Sequence, residues 1–187
     1  MKYFISDLHF FDAGIIYYCD RPFASVEEMH RVLVGNFNRK VAGEGEVYVL
    51  GDIVGMKGGI EKCGPLLKEM GIDDPRTPFR LIRGNHDLLP DEEYLKMGFV
   101  SVEEVCRARV AGYDAMLAHD PCMIQPCGTL AICGHIHTLF GELYNEERNM
   151  LAINVGVERR GYAPVSEAEI AAIVEKSRWR APEPAEE

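Results

Sequence analysis

Five short polar blocks, each directly after an apolar run, constrain the fold of this chain more than any other feature. They contain five of its six histidines. The blocks are Asp7-Leu8-His9, Gly51-Asp52, Gly84-Asn85-His86-Asp87, His119 and Gly134-His135-Ile136-His137. In α/β proteins, the side chains that perform chemistry lie on loops at the carboxyl ends of buried strands. The pattern therefore predicts an α/β protein in which several strand ends carry functional residues.

The side chains in these blocks are carboxylates, imidazoles and one amide, the hard and borderline donors that bind divalent metal ions. Each block alone also has a structural explanation, such as a turn, an exposed loop or a structural histidine. All five together, in this order and at predicted strand ends, indicate a metal site with more than one ion.

The composition is that of a globular protein, since 47% of the 187 residues are hydrophobic. We predict one domain over residues 1–180 and a frayed acidic tail over 181–187. The net charge of −10 argues against an extended nucleic-acid-binding surface. No apolar run approaches the roughly 20 residues of a membrane span, so no membrane association is expected. The six cysteines form no C-x-x-C pair, which predicts reduced thiols in a cytoplasmic protein.

Hydrophobic periodicity predicts alternating strands and helices in the first half of the chain and mostly strands in the second. Ser25 with Glu28, and Ser166 with Glu169, match the capping box that begins a helix. Residues 60–70 are predicted to be a helix shortened by Pro65, residues 91–97 a short helix, and residues 10–22 irregular. Strands are predicted at Lys2–Ile5, 47–50, Phe79–Ile82, 104–110, 114–118, Leu130–Cys133 and 151–155.

The five blocks, together with Arg21-Pro22-Phe23 and Asn154-Val155-Gly156-Val157, resemble the calcineurin-like metallophosphoesterase superfamily. The chain is most similar to the small bacterial and phage-type members, from Lys2 to about Val165. This resemblance implies an α/β fold, a four-layer α/β/β/α sandwich of two mixed sheets flanked by helices. It also implies two divalent metal ions at one edge of the sandwich. Manganese is the first choice, with iron, zinc or nickel as alternatives, because such ligands do not select one first-row metal.

The resemblance assigns seven side chains to the two ions, three on each and one shared. They are Asp7, His9 and His137 for the first ion, Asn85, His119 and His135 for the second, and Asp52 as the bridge. Two cations about 3.5–4 Å apart need such an anionic bridge to offset their repulsion. A hydroxide bridging them would attack phosphorus in line, so the predicted reaction is hydrolysis of a phosphodiester in a small or nucleotide-like substrate.

Three further residues receive roles near the reacting group. His86 would be the general acid that protonates the leaving oxygen. Asp87 would orient His86 and keep it cationic. Arg83 would contact the substrate phosphate, or form a plain ion pair at the sheet edge. His30 lies outside every block and is predicted to be structural.

Two other interpretations stay open, namely a phosphomonoesterase or protein phosphatase, and a non-catalytic interaction scaffold on the same fold. Protein phosphatases of the superfamily carry an arginine after the Gly-Asp block, which Gly51-Asp52-Ile53-Val54-Gly55 lacks. Scaffold members typically lose the histidine that corresponds to His86. The loop after His9 departs from relatives that often have a histidine and an asparagine there, since this chain has Phe10-Phe11-Asp12-Ala13-Gly14. Asp12 is then an outer ligand or part of a turn. An oligomer is compatible with these features.

Overall fold

Ten strands form two sheets in the computed structural model, which describes residues 1–41, 43–55, 59–125 and 127–182. The strands are β1 (Lys2–Ile5), β2 (Glu46–Val49), β3 (Phe79–Ile82), β4 (Phe99–Glu103), β5 (Val105–Val110), β6 (Tyr113–Ala118), β7 (Leu130–Cys133), β8 (Glu142–Asn145), β9 (Met150–Asn154) and β10 (Val165–Ser166). The first sheet has the order β10-β1-β2-β3-β4 and the second has the order β5-β6-β7-β9-β8.

Both sheets are mixed. In the first, β1, β2, β3 and β4 are parallel, and β10 pairs antiparallel with β1. In the second, β6, β7 and β9 are parallel, and the two edge strands β5 and β8 are antiparallel. The predicted fold of two mixed sheets with flanking helices is therefore confirmed.

The α-helices of the described residues are α1 (Ala13–Tyr18), α2 (Val26–Lys40), α3 (Gly64–Glu69), α4 (Asp91–Lys96) and α5 (Glu167–Lys176). Ser166 and Glu169 form a complete capping box at α5. At α2, Ser25 caps the backbone of Glu28 as predicted, but the Glu28 carboxylate accepts from Ala24 N–H instead of Ser25. Short 3-10 helices lie at Ile60–Cys63, Pro121–Met123 and Val157–Arg159.

The first sheet separates two large apolar clusters, and the second cluster lies between the two sheets. On the outer face of the first sheet, Ile5 packs with Leu33 of α2 in one buried cluster. The next side chain along β1, Phe4, points to the opposite face and packs with Leu117 and with Ile170 of α5. This alternation is the expected period of two in a strand that is covered on both faces.

The outer face of the second sheet carries a smaller cluster built on Ala118, Ala131 and Ala152. Ile124, which follows the 3-10 helix at Pro121–Met123, packs on these alanines.

Several predicted boundaries differ from the structure. Residues 10–22 contain α1, and the predicted strand 104–110 is preceded by the separate strand β4, so the chain passes from the first sheet to the second at Glu104. Edge strand β8 was not predicted, since its four residues are half-buried or exposed. Pro65 lies in the first turn of α3, after the 3-10 helix, as the predicted shortening requires. Residues 183–187 of the predicted tail lie outside the described residues.

All six cysteines are free thiols. Across the ranges that the structure describes, no helix combines the length and the apolar composition needed to cross a membrane.

Candidate metal centre

The polar blocks meet where the parallel strands of both sheets end. Strands β1, β2 and β3 lead into the blocks at residues 7, 52 and 85–87, and strands β6 and β7 lead into those at residues 119 and 135–137. Because parallel strands have their carboxyl ends on the same side of a sheet, each sheet supplies one half of the site. The predicted placement of the blocks at strand ends is confirmed.

Backbone contacts hold the two sheets together at this edge. Ser6 and Gly156 form a parallel β-bridge, and Val157 N–H donates to the Ser6 carbonyl over 3.2 Å. The Ser6 hydroxyl donates to the carbonyl of Leu50. His119 Nδ1 donates to the same carbonyl over 2.7 Å, which brings a histidine of the second sheet beside the end of β2.

Glycines allow this close approach. A Cβ added at Gly134 would lie 1.9 Å from Ser6 Oγ and 2.7 Å from Asp7 Oδ2. A Cβ at Gly84 would lie 2.3 Å from Asp52 Oδ1. Any larger residue would therefore separate the loops that carry the site.

Five of the seven predicted ligands have left-handed backbone conformations. The φ angles are 60° at Asp7, 49° at His9, 53° at Asp52, 70° at His135 and 44° at His137. This region is uncommon for residues other than glycine, and such strained residues concentrate at functional sites. The surrounding contacts therefore hold these side chains in orientations that an unconstrained loop would not favour.

Six predicted ligands form two compact groups, and the seventh adjoins the second group. Within each group the ligand atoms lie within 4.8 Å of one another. The groups are Asp7, His9 and His137, and Asp52, His119 and His135. The Asn85 Oδ1 atom lies 3.0 Å from His119 Nε2.

Asp52 lies between the two groups. Its Oδ2 atom is 3.3 Å from His119 Nε2, 3.6 Å from His9 Nε2 and 3.8 Å from His86 Nε2. Burial tends to raise the pKa of this carboxyl, but its contacts with His119 outweigh burial and hold the pKa below its ordinary value. Asp52 is therefore an anionic centre shared by imidazoles from both sheets.

The surroundings of the His9 ring bear on whether this cluster can bind a cation. Within the described part of the chain, both of its ring nitrogens are buried and lack a hydrogen-bond partner. Burial lowers the pKa of His9 to about 4, so the ring is neutral and keeps a lone pair. A buried polar atom without a partner is costly unless something binds it. A metal ion at this lone pair would remove that cost, so the residues fit a divalent cation.

His119 and His137 are arranged as metal ligands usually are. His119 Nδ1 bonds the Leu50 carbonyl, and His137 Nδ1 bonds Glu158 Oε1 over 3.0 Å. Ligating histidines commonly give their other N–H to a carbonyl or carboxylate, so Nε2 is the ring atom that would bind a cation. In His119 this atom lies beside Asn85 and Asp52, the other two side chains predicted to share its ion. Burial opposes protonation of both rings. A hydrogen bond to Asp52 nonetheless raises the pKa of His119 to about 9. Hydrogen bonds to Cys19 and Glu158 raise the pKa of His137 to about 10.

The Asp7 carboxylate is completely buried and accepts from the backbone N–H of His135 over 3.1 Å. Burial raises its pKa above the ordinary value. A nearby cation would reverse this effect, because it favours the carboxylate form.

Glu158 and Cys19 belong to the centre although no sequence pattern indicated them. With His137 they form a further group of possible ligands within 4.8 Å. Glu158 is also paired with buried Arg21. Asn154, the last residue of β9, donates to the carbonyls of His137 and Phe140 over 2.8 and 2.9 Å and thus holds the His137 loop.

The contacts of Asp87 differ from the predicted ones. Its carboxylate accepts from the backbone N–H groups of Asp52, Ile53 and Gly84 over 2.9, 3.2 and 2.9 Å. Asp87 therefore fixes the Asp52 loop against the loop that carries His86, and its hydrogen bonds go to backbone instead of the His86 ring. Burial raises its pKa. The His86 side chain is 21% exposed, and it groups with His9 and Asp52.

Arg83 is engaged by protein groups. It donates to the carbonyls of Asp87 and Leu89 over 2.5 and 2.8 Å, and it pairs with Asp91 and Glu104. These contacts match the ion-pair alternative for Arg83, and its contact with substrate stays a prediction.

Asp12 and His30 support the loop after His9. Asp12 caps α1 through Gly14 N–H, and its Oδ2 lies 3.4 Å from His9 Nδ1. His30 accepts from Phe11 N–H over 2.9 Å, and its ring lies edge-on to Phe10 and Phe11. The structural role predicted for His30 is confirmed.

Two mixed sheets, with carboxylate, imidazole and amide ligands where their parallel strands end, define an α/β protein with a metal-binding type of site. The chain belongs to the calcineurin-like phosphoesterase family, whose model matches residues 3–147. The matched part contains all seven predicted ligands and ends before Asn154 and Glu158. Membership of this family indicates phosphoesterase activity and divalent metal ions.

Similarity to other proteins extends over most of the chain. An uncharacterized protein of Methanocaldococcus jannaschii is 36% identical over 184 residues, which cover 94% of this chain and 92% of the relative. A crystal structure of a protein of unknown function from Aquifex aeolicus is 25% identical with a TM-score of 0.68, covering 92% of this chain and 98% of that one. A crystal structure of a nuclease from Pseudomonas putida is 20% identical with a TM-score of 0.46, and the match covers 73% of this chain and 61% of the nuclease.

Proposed function

We propose that this protein is a phosphodiesterase that depends on two divalent metal ions and acts on a small or nucleotide-like substrate. The observation that supports this most directly is the position of Asp52, whose carboxylate is within 3.8 Å of imidazoles from both ligand groups. Two neighbouring cations need a shared anion of this kind. Manganese is the first metal to test, because nitrogen and oxygen ligands suit it and other first-row ions.

Bound ions would supply an activated water near neutral pH and positive charge for the phosphoryl oxygens. The protein's own groups would hold the ions and move one proton. His86 would donate that proton to the leaving oxygen, since its side chain is partly exposed and lies beside Asp52. Its partial exposure would let the ring regain a proton from solvent after each turnover.

The charges around the site favour a diester over a monoester. Arg21 and Arg83 lie beside the cluster, and both are paired with protein carboxylates. A monoester dianion is commonly held by an arginine that is free to bind its extra charge. A diester has one negative charge, which the metal ions would neutralise alone.

The test uses protein stripped of metal and reloaded with manganese, with bis-p-nitrophenyl phosphate and p-nitrophenyl phosphate as substrates. We expect manganese-dependent release of p-nitrophenol from the diester and little from the monoester. Asp52→Asn protein treated in parallel measures the background of free metal. Faster turnover of the monoester would contradict the diester assignment. No turnover of either ester with several divalent metals would contradict the enzymatic role and favour a scaffold.

A further inference from the structure

Exposed apolar side chains lie on or beside the loops of the candidate metal centre. Leu88 follows Asp87 and is 83% exposed, and Leu139 lies two residues after His137 and is 74% exposed. Tyr18 is 83% exposed, and its ring contacts that of His137. We call Tyr18, Leu88 and Leu139 the apolar rim. Single exposed apolar residues are ordinary, but this group adjoins the residues that would face a substrate.

Tyr18 is held in place although most of its ring is open to solvent. Its ring centroid is 6.4 Å from that of His137 with an interplanar angle of 75°, which is an edge contact. The helix that carries it, α1, is anchored by buried Ile15 and capped by Asp12. Since the contact with His137 is edge-on, a face of the Tyr18 ring remains available for stacking.

We propose that Tyr18 is a specificity-determining residue on which a planar aromatic substituent of the phosphodiester stacks. The inference rests on the proposed function. A group in contact with Tyr18 would lie beside His137, one of the predicted ligands of the first ion. Stacking on an aromatic side chain tolerates many planar rings, because every such ring offers a π-face.

The neighbouring Tyr17 supplies a matched control. It lies on the same helix and is 87% exposed. Among the described residues, only Tyr18 of these two tyrosines has a ring contact with a candidate ligand. Removing each ring therefore changes the exposed aromatic surface equally, but only one change removes the proposed platform. Tyr18→Phe keeps the ring and removes the hydroxyl.

The experiment compares two diesters with the same leaving group, phenyl p-nitrophenyl phosphate and methyl p-nitrophenyl phosphate, in manganese-loaded protein. We expect Tyr18→Ala to raise KM for the phenyl ester about tenfold, which lies within the range that loss of one stacking contact produces. The KM for the methyl ester and both kcat values should stay within about twofold. Tyr17→Ala and Tyr18→Phe should resemble the unmodified protein. Calorimetric affinities for phenylphosphonate and methylphosphonate should show the same selective loss without turnover.

Each other result contradicts the inference in a distinct way. An equal rise of KM for the two esters would mean that Tyr18 binds the p-nitrophenyl leaving group, which both contain, and would contradict binding of the second substituent. No change for either ester would show that Tyr18 binds no aromatic group. If Tyr18→Ala lowered kcat equally for both esters, the role of Tyr18 would be to position His137. A change in sedimentation of Tyr18→Ala without selective loss of affinity would assign the apolar rim to contact with a second copy. If the unmodified protein hydrolyses neither ester, the proposed function itself fails.

Discussion

Arg21 and Glu158 form a buried ion pair directly behind the candidate metal centre. Arg21 Nη2 donates to Glu158 Oε1 over 2.6 Å, and the two side chains are 0% and 2% exposed. Arg21 also donates to the carbonyls of Asp7 and Leu8, and Glu158 accepts from His137. Burial tends to raise the pKa of Glu158, but His137 and Arg21 lower it to about 2. The pair therefore connects the loop after β1 with the loop after β7.

Glu158→Gln should destabilise the protein and weaken metal binding. Removing one charge of a buried pair leaves the other uncompensated, which typically costs about 3–5 kcal/mol. Loss of a carboxylate behind a ligating histidine lowers metal affinity by about 10–100-fold. Urea denaturation and calorimetric titration with manganese measure the two effects. Exposed Glu92→Gln on α4 is the control. Unchanged metal affinity would show that Glu158 does not support His137.

Asp52→Asn should abolish binding of two metal ions per chain. The amide keeps the shape of the side chain and loses the negative charge that two cations would share. Elemental analysis after reloading and gel filtration measures metal per chain. Asp114→Asn, at a side chain that is 91% exposed, is the control. Full metal content in Asp52→Asn would contradict the bridging assignment.

His86→Ala should keep both metal ions and lower kcat by about 10²–10⁴-fold, the usual effect of losing a general acid. The structure makes this test informative, because His86 also groups with His9 and Asp52 as a possible ligand. Metal content and turnover are measured on the same preparation. Loss of metal on substitution would identify His86 as a ligand.

Gly134→Ala should destabilise the fold by about 1–3 kcal/mol, because the new Cβ would overlap Ser6 Oγ and force the loops apart. Gly35→Ala is the matched control. It lies in α2 with nothing within 4 Å of the added Cβ, and it should stabilise the protein by about 0.5–1 kcal/mol. Chemical denaturation compares the two. Equal effects would mean that the loop around Gly134 can shift freely.

Acidic pH should decrease the contribution of His30 to the free energy of unfolding. Its Nε2 accepts from Phe11 N–H, and burial lowers its pKa below the ordinary value. As the pH falls below about 6.5, the unfolded chain takes up the proton before the folded one, so stability from neutral His30 is complete above that pH and decreases below it. The free-energy difference of unfolding between the unmodified protein and His30→Gln should therefore shrink from pH 7.5 to pH 5.5. A constant difference would contradict this.

Most of the candidate ligands could be found in the sequence because each follows a buried strand within a few residues. The apolar run before Asp7 and the glycines beside Asp52 and Asn85 indicate both the strand end and the turn. The helices at Ser25 and Ser166 were predictable for a similar reason, since a capping residue satisfies local backbone N–H groups.

Features that depend on distant contacts could not be predicted in this way. Glu158 follows no motif, and its role comes from Arg21, 137 residues away. Asp87 was assigned to the adjacent His86, but its carboxylate bonds N–H groups brought close by folding. Edge strands β4 and β8 lack the buried alternation that marks a strand, so pairing with their neighbours decides their conformation.

The parallel bridge between Ser6 and Gly156 also bears on the time at which the centre is assembled. The bond from His135 N–H to Asp7 spans 128 residues, and the Arg21–Glu158 pair spans still more. Contacts so distant in the chain form late in folding, after the loop entropy of the intervening segments has been lost. A nascent chain that has emerged only as far as β6 would present four of the seven predicted ligands, all at strand ends of the first sheet. Binding of both metal ions would therefore require that the second sheet has already packed against the first.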